Sequence, residues 1–304
     1  MKIIVSNEET GMRLDHVLNA YIKDLSRSQI QNTLFARDRV FVNGKTAVKN
    51  HRVKEGDTLV VEEEEKKKPD PVFPVPPPKI LFENGHYIVL DKPSGLVVHG
   101  ARDVQGPTLV DFLTAHTPQI AKVGDDPVRP GIVHRLDKDA SGVMVVAKTQ
   151  IMFDALKRQF KLRRVKKQYL VLTYGIPAKL SGEISFALSR SRHSPRIVAH
   201  AKGGRSSLTQ YWVEKQFGRY ALIRVEPHTG RTHQIRVHFF AFGYPIVGDL
   251  IYIAKNVKNK IEGVRLMLHA TLLGFHDHLG VYHEYECEPD KGFLEVIKKM
   301  PLSH

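Results

Sequence analysis

The chain has 304 residues, 42% of them hydrophobic, and 46 Lys plus Arg against 32 Asp plus Glu, a formal net charge of +14. That length predicts two domains of ordinary globular composition, no apolar run is long enough to cross a bilayer, and the basic excess favours a polyanionic partner, nucleic acid first. The single cysteine, Cys287, excludes an internal disulfide and a thiolate metal cage, and the opening segment lacks the pattern of a signal peptide, so a cytoplasmic protein is expected.

Leu14, Val17, Leu18 and Tyr21 fall at helical spacing and predict one amphipathic helix. Ser26 reads as the cap of a second, with Ile30, Leu34 and Phe35 on its buried face. Val40 to Val42 and Lys45 to Val48 flank Asn43-Gly44, a two-residue hairpin signal, and Glu55-Gly56-Asp57 turns into a strand from Thr58 to Val61. Residues 1–61 thus read as a small helix-helix-β unit, with Arg13, Arg27, Arg37, Arg39, Lys45 and Lys49 available for one surface. Residues 62–79 hold opposing charge blocks and then six prolines, a density that neither a helix nor a central strand survives. They read as a semi-extended linker.

From residue 80 to 304 the pattern is short strands with a few helices between them. Ile80 to Phe82, Tyr87 to Leu90 and Leu96 to Val98 read as strands, and Leu109, Phe112, Leu113 and His116 as a helix. Phe153, Leu156 and Phe160 predict another helix, followed by strands at Gln168 to Tyr174, Glu183 to Leu188, Leu208 to Val213 and Tyr220 to Val225. Ile235, His238, Phe239 and Phe242 return to helical spacing, with Thr232 as cap. The predicted fold class is α+β, a large, mixed but mainly antiparallel sheet with helices on its faces.

Chemistry gathers in three places. Between the apolar runs Ile132-Val133 and Val143 to Ala147, both read as strand, stand His134, Arg135, Asp137, Lys138 and Asp139. Asp139 and Ser141 fit a polar turn that bonds local backbone. Asp137 fits it less well: behind Leu136 its carboxylate would be partly desolvated and would need a cation. Arg231, where the turn Pro227 to Gly230 enters a helix, is the candidate partner. On a strand, Arg135 and Asp137 would share one face. His228, His233 and His238 recur every five residues and so fall on different helical faces, which argues against a metal site and leaves His233 as a hydrogen-bonding residue or RNA contact. Residues 157–167 carry seven Lys or Arg and no acid. Lys161, Arg163, Arg164, Lys166 and Lys167 therefore read as a phosphate-contacting arm leading into Tyr169, itself a core aromatic when read alone.

Two resemblances extend this reading. Arg13-Leu14-Asp15, Ser26 to Ile30, Val40 to Gly44 and Lys54 to Asp57 resemble, in order, the ribosomal-protein S-four-type RNA-binding domain. Lys92 to His99, His134 to Asp137 with Ser141-Gly142, Lys167-Gln168-Tyr169 and Gly230 to Arg236 resemble the RluA-type pseudouridine synthases, and Pro245 to Asp249, Tyr252 and Arg265 to Ala270 agree. That likeness covers about residues 80 to 290. It implies that Asp137 is the catalytic aspartate, that Tyr169 stacks on the target base, that Arg231 pairs with the aspartate and that Arg135 holds the flipped-out RNA. His134, His233, Arg27 and Arg37 join the basic arm as further expected RNA contacts. Ala140 stands where the family usually has Thr, which removes a hydroxyl from the turn but no catalytic group. The implied protein is a cofactor-free, metal-free isomerase, expected to be a monomer. Its substrate is RNA, with large-subunit ribosomal RNA favoured over tRNA by the N-terminal unit. A non-catalytic ribosome-assembly factor on the same scaffold is the alternative, and the presence of Asp137, Tyr169 and Arg231 together argues against it.

Overall fold

A computed structural model describes the chain apart from residues 23–25, 36–37, 63–74, 101–105, 192–196, 201–202, 254–256, 258–259 and 301–304. Arg37 and most of the expected linker therefore lie outside the described residues. The chain divides into two units, Met1–Phe73 and Pro74–His304, a split that falls within the proline-rich stretch.

The first unit runs β1 (Lys2–Ile4), α1 (Leu14–Tyr21), α2 (Arg27–Thr33), β2 (Val40–Val42), β3 (Lys45–Thr46) and β4 (Thr58–Val61). Its strands form an antiparallel sheet in the order β1-β4-β2-β3. Helix α2 starts at the expected cap: the Ser26 hydroxyl accepts from the Gln29 N–H, and the Gln29 side chain accepts from the Ser26 N–H. Asn43 and Gly44 both take positive φ, as the two-residue hairpin requires. Leu14, Val17, Leu18 and Ile30 then bury themselves against Val40, Val42, Leu59 and Val61.

The second unit continues with β5 (Lys79–Glu83), β6 (Tyr87–Lys92), α3 (Leu109–His116), β7 (Ser141–Ala147), α4 (Gln150–Lys161), β8 (Lys166–Tyr174) and β9 (Ser181–Arg190). After these come β10 (Ile197–His200), β11 (Arg205–Phe217), β12 (Tyr220–Pro227), α5 (Gln234–Ala241), β13 (Leu268–His276), β14 (Tyr282–Glu286) and α6 (Lys291–Lys298). Its 10-stranded sheet runs β10-β9-β11-β12-β8-β13-β7-β6-β5, with β14 added on β13. Only the β13–β7 pair is parallel among the described pairings. Strand β7 is buried along its whole length, which explains its unbroken apolar run. The α+β, mainly antiparallel architecture matches the expectation.

Two expected strands are absent. Leu96 and Val98 are buried, but the Leu96 carbonyl accepts from the Lys92 ammonium, and the Val97 and Val98 carbonyls accept from the first N–H groups of α3. No carbonyls are left for a ladder. Ile132 makes a single bridge to Val146, and residues 133–140 then run as a loop to β7. Arg135 and Asp137 are therefore loop residues, and strand alternation does not govern where they point.

Gly142, in β7 directly after this loop, has φ +117°, and a methyl group there would overlap the Ala270 carbonyl across the parallel pair. Gly142→Ala should destabilise the second unit by about 3 kcal/mol, seen as an earlier unfolding transition in urea. An unchanged midpoint would contradict this register.

Candidate active site

The loop that carries Asp137 is pinned from behind. The Lys92 ammonium is fully buried and donates to the carbonyls of Pro93, Leu96 and Lys138 at 2.9, 2.9 and 3.1 Å. Burial pushes this amine down to about 7, against the pull of Asp139 and Asp137. Gly95 N–H and the Ser94 hydroxyl donate to the carbonyls of Lys138 and Asp139, so residues 92–96 clamp the loop's backbone. Ala140 N–H closes the turn onto the Asp137 carbonyl, while the Leu136 and Ala140 side chains are buried beneath it. A small residue at 140 suits that packing.

His134 is placed otherwise than expected. It borders the cleft, but its Nε2 accepts the Val145 N–H at 3.1 Å and its ring stacks on Phe160 at 4.5 Å. Burial, with Lys167 nearby, pushes its pKa down to about 3. A neutral imidazole engaged through Nε2 and on its face ties the loop to β7 and α4, with its proton on Nδ1.

The expected ion pair also forms with a different arginine. Arg236 Nη1 donates to Asp137 Oδ2 at 3.3 Å, and the same guanidinium grips Asp249 through Nε and Nη2 at 2.7 and 2.8 Å. Arg231 instead lies in the turn before α5, with its Nε toward the Ser206 carbonyl at 3.4 Å. The reason is where the helix begins. Its cap is His233, in the left-handed region at φ 53°, one residue beyond Thr232. Gln234 accepts from Arg231 N–H and the Thr229 hydroxyl and donates to the Leu208 carbonyl, which fixes the turn. Arg236 is then the arginine inside the first turn of the helix, only 3% exposed. Burial alone would raise Asp249, but Arg236 and the N–H groups of Tyr252 and Ile251 outweigh it and hold that carboxyl below its usual range.

His233 completes this side. Tyr252 accepts Ile197 N–H at 3.0 Å and its hydroxyl lies 2.8 Å from His233 Nδ1, which we assign as the acceptor of the hydroxyl proton. That assignment leaves the ring proton on Nε2, which lies 3.9 Å from Asp137 Oδ1. Burial is the main cause of a lowered His233 pKa, opposed by Asp137.

His134, Asp137, His233, Gln234 and Arg236 line a cleft of about 440 Å³. Asp137, its side chain 17% exposed, is the one carboxylate among the described residues of the lining. Tyr169 faces the same space from β8, and burial followed by the Asp137 charge raises its phenol pKa, so the hydroxyl stays protonated near neutrality. Arg135, Lys161, Arg163, Lys167 and Arg231 also border the cleft. Arg164 and Lys166 do not; Lys166 pairs with Glu284 at 3.0 Å. Arg27 belongs to the first unit, where it pairs with Asp15 at 2.9 Å.

Sequence reasoning missed Arg236, Asp249, Tyr252, Gln234 and Lys92 as site-building residues. A signal for Arg236 existed: Gln234 to Phe239 are all buried, and a guanidinium within such a helix needs a buried acid.

Removing Arg236 should strand two carboxylates, whereas removing Arg231 should strand none. Arg236→Ala is expected to cost about 3–5 kcal/mol of folding stability and Arg231→Ala under about 1 kcal/mol, both read from urea denaturation. Equal losses would contradict the assignment. The buried histidines give a pH signature. His134 at about 3 and His238 at about 4 lie below the ordinary 6.5, so the unfolded chain takes up protons first as pH falls. Their contribution is complete above about pH 6.5 and is lost progressively toward pH 3 to 4. Unfolding free energy should therefore fall from pH 7 to pH 5, and His134→Gln should flatten that slope; the same slope in both proteins would contradict it.

Comparison with known proteins agrees with this constellation. The profile of the RNA pseudouridylate synthase family matches residues 86–241, just over half of the chain and most of the lining. A protein of Aquifex aeolicus named an uncharacterized RNA pseudouridine synthase is 38% identical, over 94% of this chain and 89% of its own length. The ribosomal large subunit pseudouridine synthase D of Nitrosomonas europaea is 35% identical, over 100% of this chain and 89% of its own. Among solved structures, human RNA pseudouridylate synthase domain containing 4 superposes with a TM-score of 0.58 at 26% identity, over 73% of this chain and 94% of that one. The chain belongs to the RNA pseudouridylate synthase family, isomerases that convert uridine to pseudouridine.

Proposed function

We propose that this enzyme isomerises specific uridines of large-subunit ribosomal RNA, with Asp137 as the reacting carboxylate. The observation that carries the reading is the lone carboxylate of a cation-rimmed cleft, held by Arg236 beside the Tyr169 ring. A uridine in a stacked helix hides its glycosidic bond, so the nucleotide must be extruded to reach such a site. Tyr169 offers a stacking face for the uracil, and the exposed Arg135 can occupy the space the base leaves in the RNA. Asp137 then acts at the sugar, either as a nucleophile on the anomeric carbon or as a base that forms a glycal. Either way the bond from C1′ to N1 breaks and the uracil turns; C5 then bonds to C1′ as the Asp137–C1′ bond breaks or C2′ regains the proton taken by Asp137, and the C5 proton is lost while N1 takes one up.

The first unit supports a large ribosomal RNA substrate. Asp15 is fully buried and is gripped by Arg13 at 3.1 Å, Arg27 at 2.9 Å and Gln31 at 2.6 Å. Burial opposes its ionisation, but these donors hold the carboxyl down to about 2. The pair of arginines is thereby oriented with guanidinium surface left toward solvent, as an S-four-type module would use against phosphates. The large-subunit names of full-length relatives favour ribosomal RNA over tRNA.

Asp137→Asn should abolish pseudouridine formation, by at least about 1,000-fold in a tritium-release assay on ribosomal RNA, while RNA binding stays within about threefold. Tyr169→Phe keeps the stacking ring and should lose less. Substantial turnover by Asp137→Asn would remove the aspartate from the chemistry. Turnover confined to tRNA would overturn the substrate reading alone.

A further inference from the structure

Of the basic arm, Lys167 is the residue that stands nearest in sequence to Tyr169 while bordering the cleft. It lies two residues before Tyr169 on β8, so both side chains share one face of the strand and border the same cleft. Its neighbour Lys166 alternates away and is neutralised by Glu284 at 3.0 Å. For the Lys167 ammonium no hydrogen bond or ion pair is found among the described residues. The charges that face it make the need sharper. Arg163 stands beside it from the turn after α4, Lys161 from the end of that helix, and His134 from the loop, neutral. His228 and Arg231 border the cleft from the segment after β12. The only carboxylate on the lining among the described residues, Asp137, is taken by Arg236. Arg163 is itself held at φ +59°, an unfavourable backbone for a non-glycine residue.

We propose that Lys167 and Arg163 form a phosphate subsite that seats the phosphodiester next to the extruded uridine while its base lies against Tyr169. Two adjacent cations repel until an anion sits between them, whereas a neutral uracil carbonyl would leave both charges uncompensated. Two residues along a strand span about 6.8 Å, a suitable reach from a stacked base to the phosphate of its own nucleotide. Burial, with Arg163 second, pushes the Lys167 amine down to about 8, so the free site loses its charge just above neutrality and an anion would restore it. The subsite makes the backbone on one side of the target a positioning handle, independent of base identity. This inference rests on the chain's acting on RNA as proposed above.

The test uses an RNA stem-loop spanning the uridine that the wild-type enzyme modifies in ribosomal RNA. A neutral methylphosphonate replaces the phosphodiester on either side of that uridine in turn. Wild-type binding should weaken about tenfold for one of the two substitutions. Lys167→Met should bind the all-phosphate RNA about tenfold more weakly, with the loss falling on KM more than on kcat, and should lose nothing further with that methylphosphonate. Its slope of log affinity against log salt should shrink by about 0.7. Lys167→Arg, which keeps a cation, should retain the salt slope and remove the weakening of wild-type binding above about pH 8; it also serves as the folded control. Additive losses from Lys167→Met and both methylphosphonates, or slower chemistry with an unchanged salt slope, would overturn the subsite. A wild-type enzyme that forms no pseudouridine in any RNA would overturn the functional reading and the subsite with it.

Discussion

A buried carboxylate–guanidinium–carboxylate chain organises the catalytic unit. Asp249 is fully buried, Arg236 is nearly so and borders the cleft, and Asp137 is the most exposed of the three, facing the cleft. Placing three charges there is costly, and the cost is offset only where every partner is in place. Asp249 meets that condition by accepting from the Ile251 and Tyr252 N–H groups as well as from Nε and Nη2 along one edge of the guanidinium. Just before it, Gly248 at φ +77° lies where any Cβ would collide with the Arg265 carbonyl, so the turn that delivers Asp249 depends on glycine. The Asp137 carboxylate is thus positioned from a segment more than a hundred residues downstream.

The loop bearing Asp137 is restrained by equally indirect means. Burial pushes both the Lys92 amine and the His134 imidazole down from their ordinary values, toward their neutral forms. Both hold backbone: Lys92 donates to three carbonyls, and His134 Nε2 accepts one N–H. Segments that look chemical in the sequence thus supply rigidity, and the chemistry falls to what they hold still.

Much of this was legible in advance, for physical reasons that differ by element. The Ser26 cap, the Asn43-Gly44 turn and the apolar run of β7 carry local signals that fold as they read. Leu96 to Val98 and Ile132-Val133 misled because burial was legible but the destination of their carbonyls was not. Asp137 and Tyr169 stood out through the likeness to a family, whereas the choice between Arg231 and Arg236 turned on a one-residue shift of the helix start. That shift follows from His233 taking a left-handed backbone and from Gln234 bonding the turn, and periodicity reports neither.

The central claim is that Asp137 works because Asp249 holds Arg236 in place. Single-turnover pseudouridine formation by Asp249→Asn, measured beside its RNA affinity on folded protein, tests that claim most directly. The predicted result is chemistry slowed by about a hundredfold with affinity little changed, since a displacement near 1 Å is enough for such a loss. A wild-type rate would contradict the account.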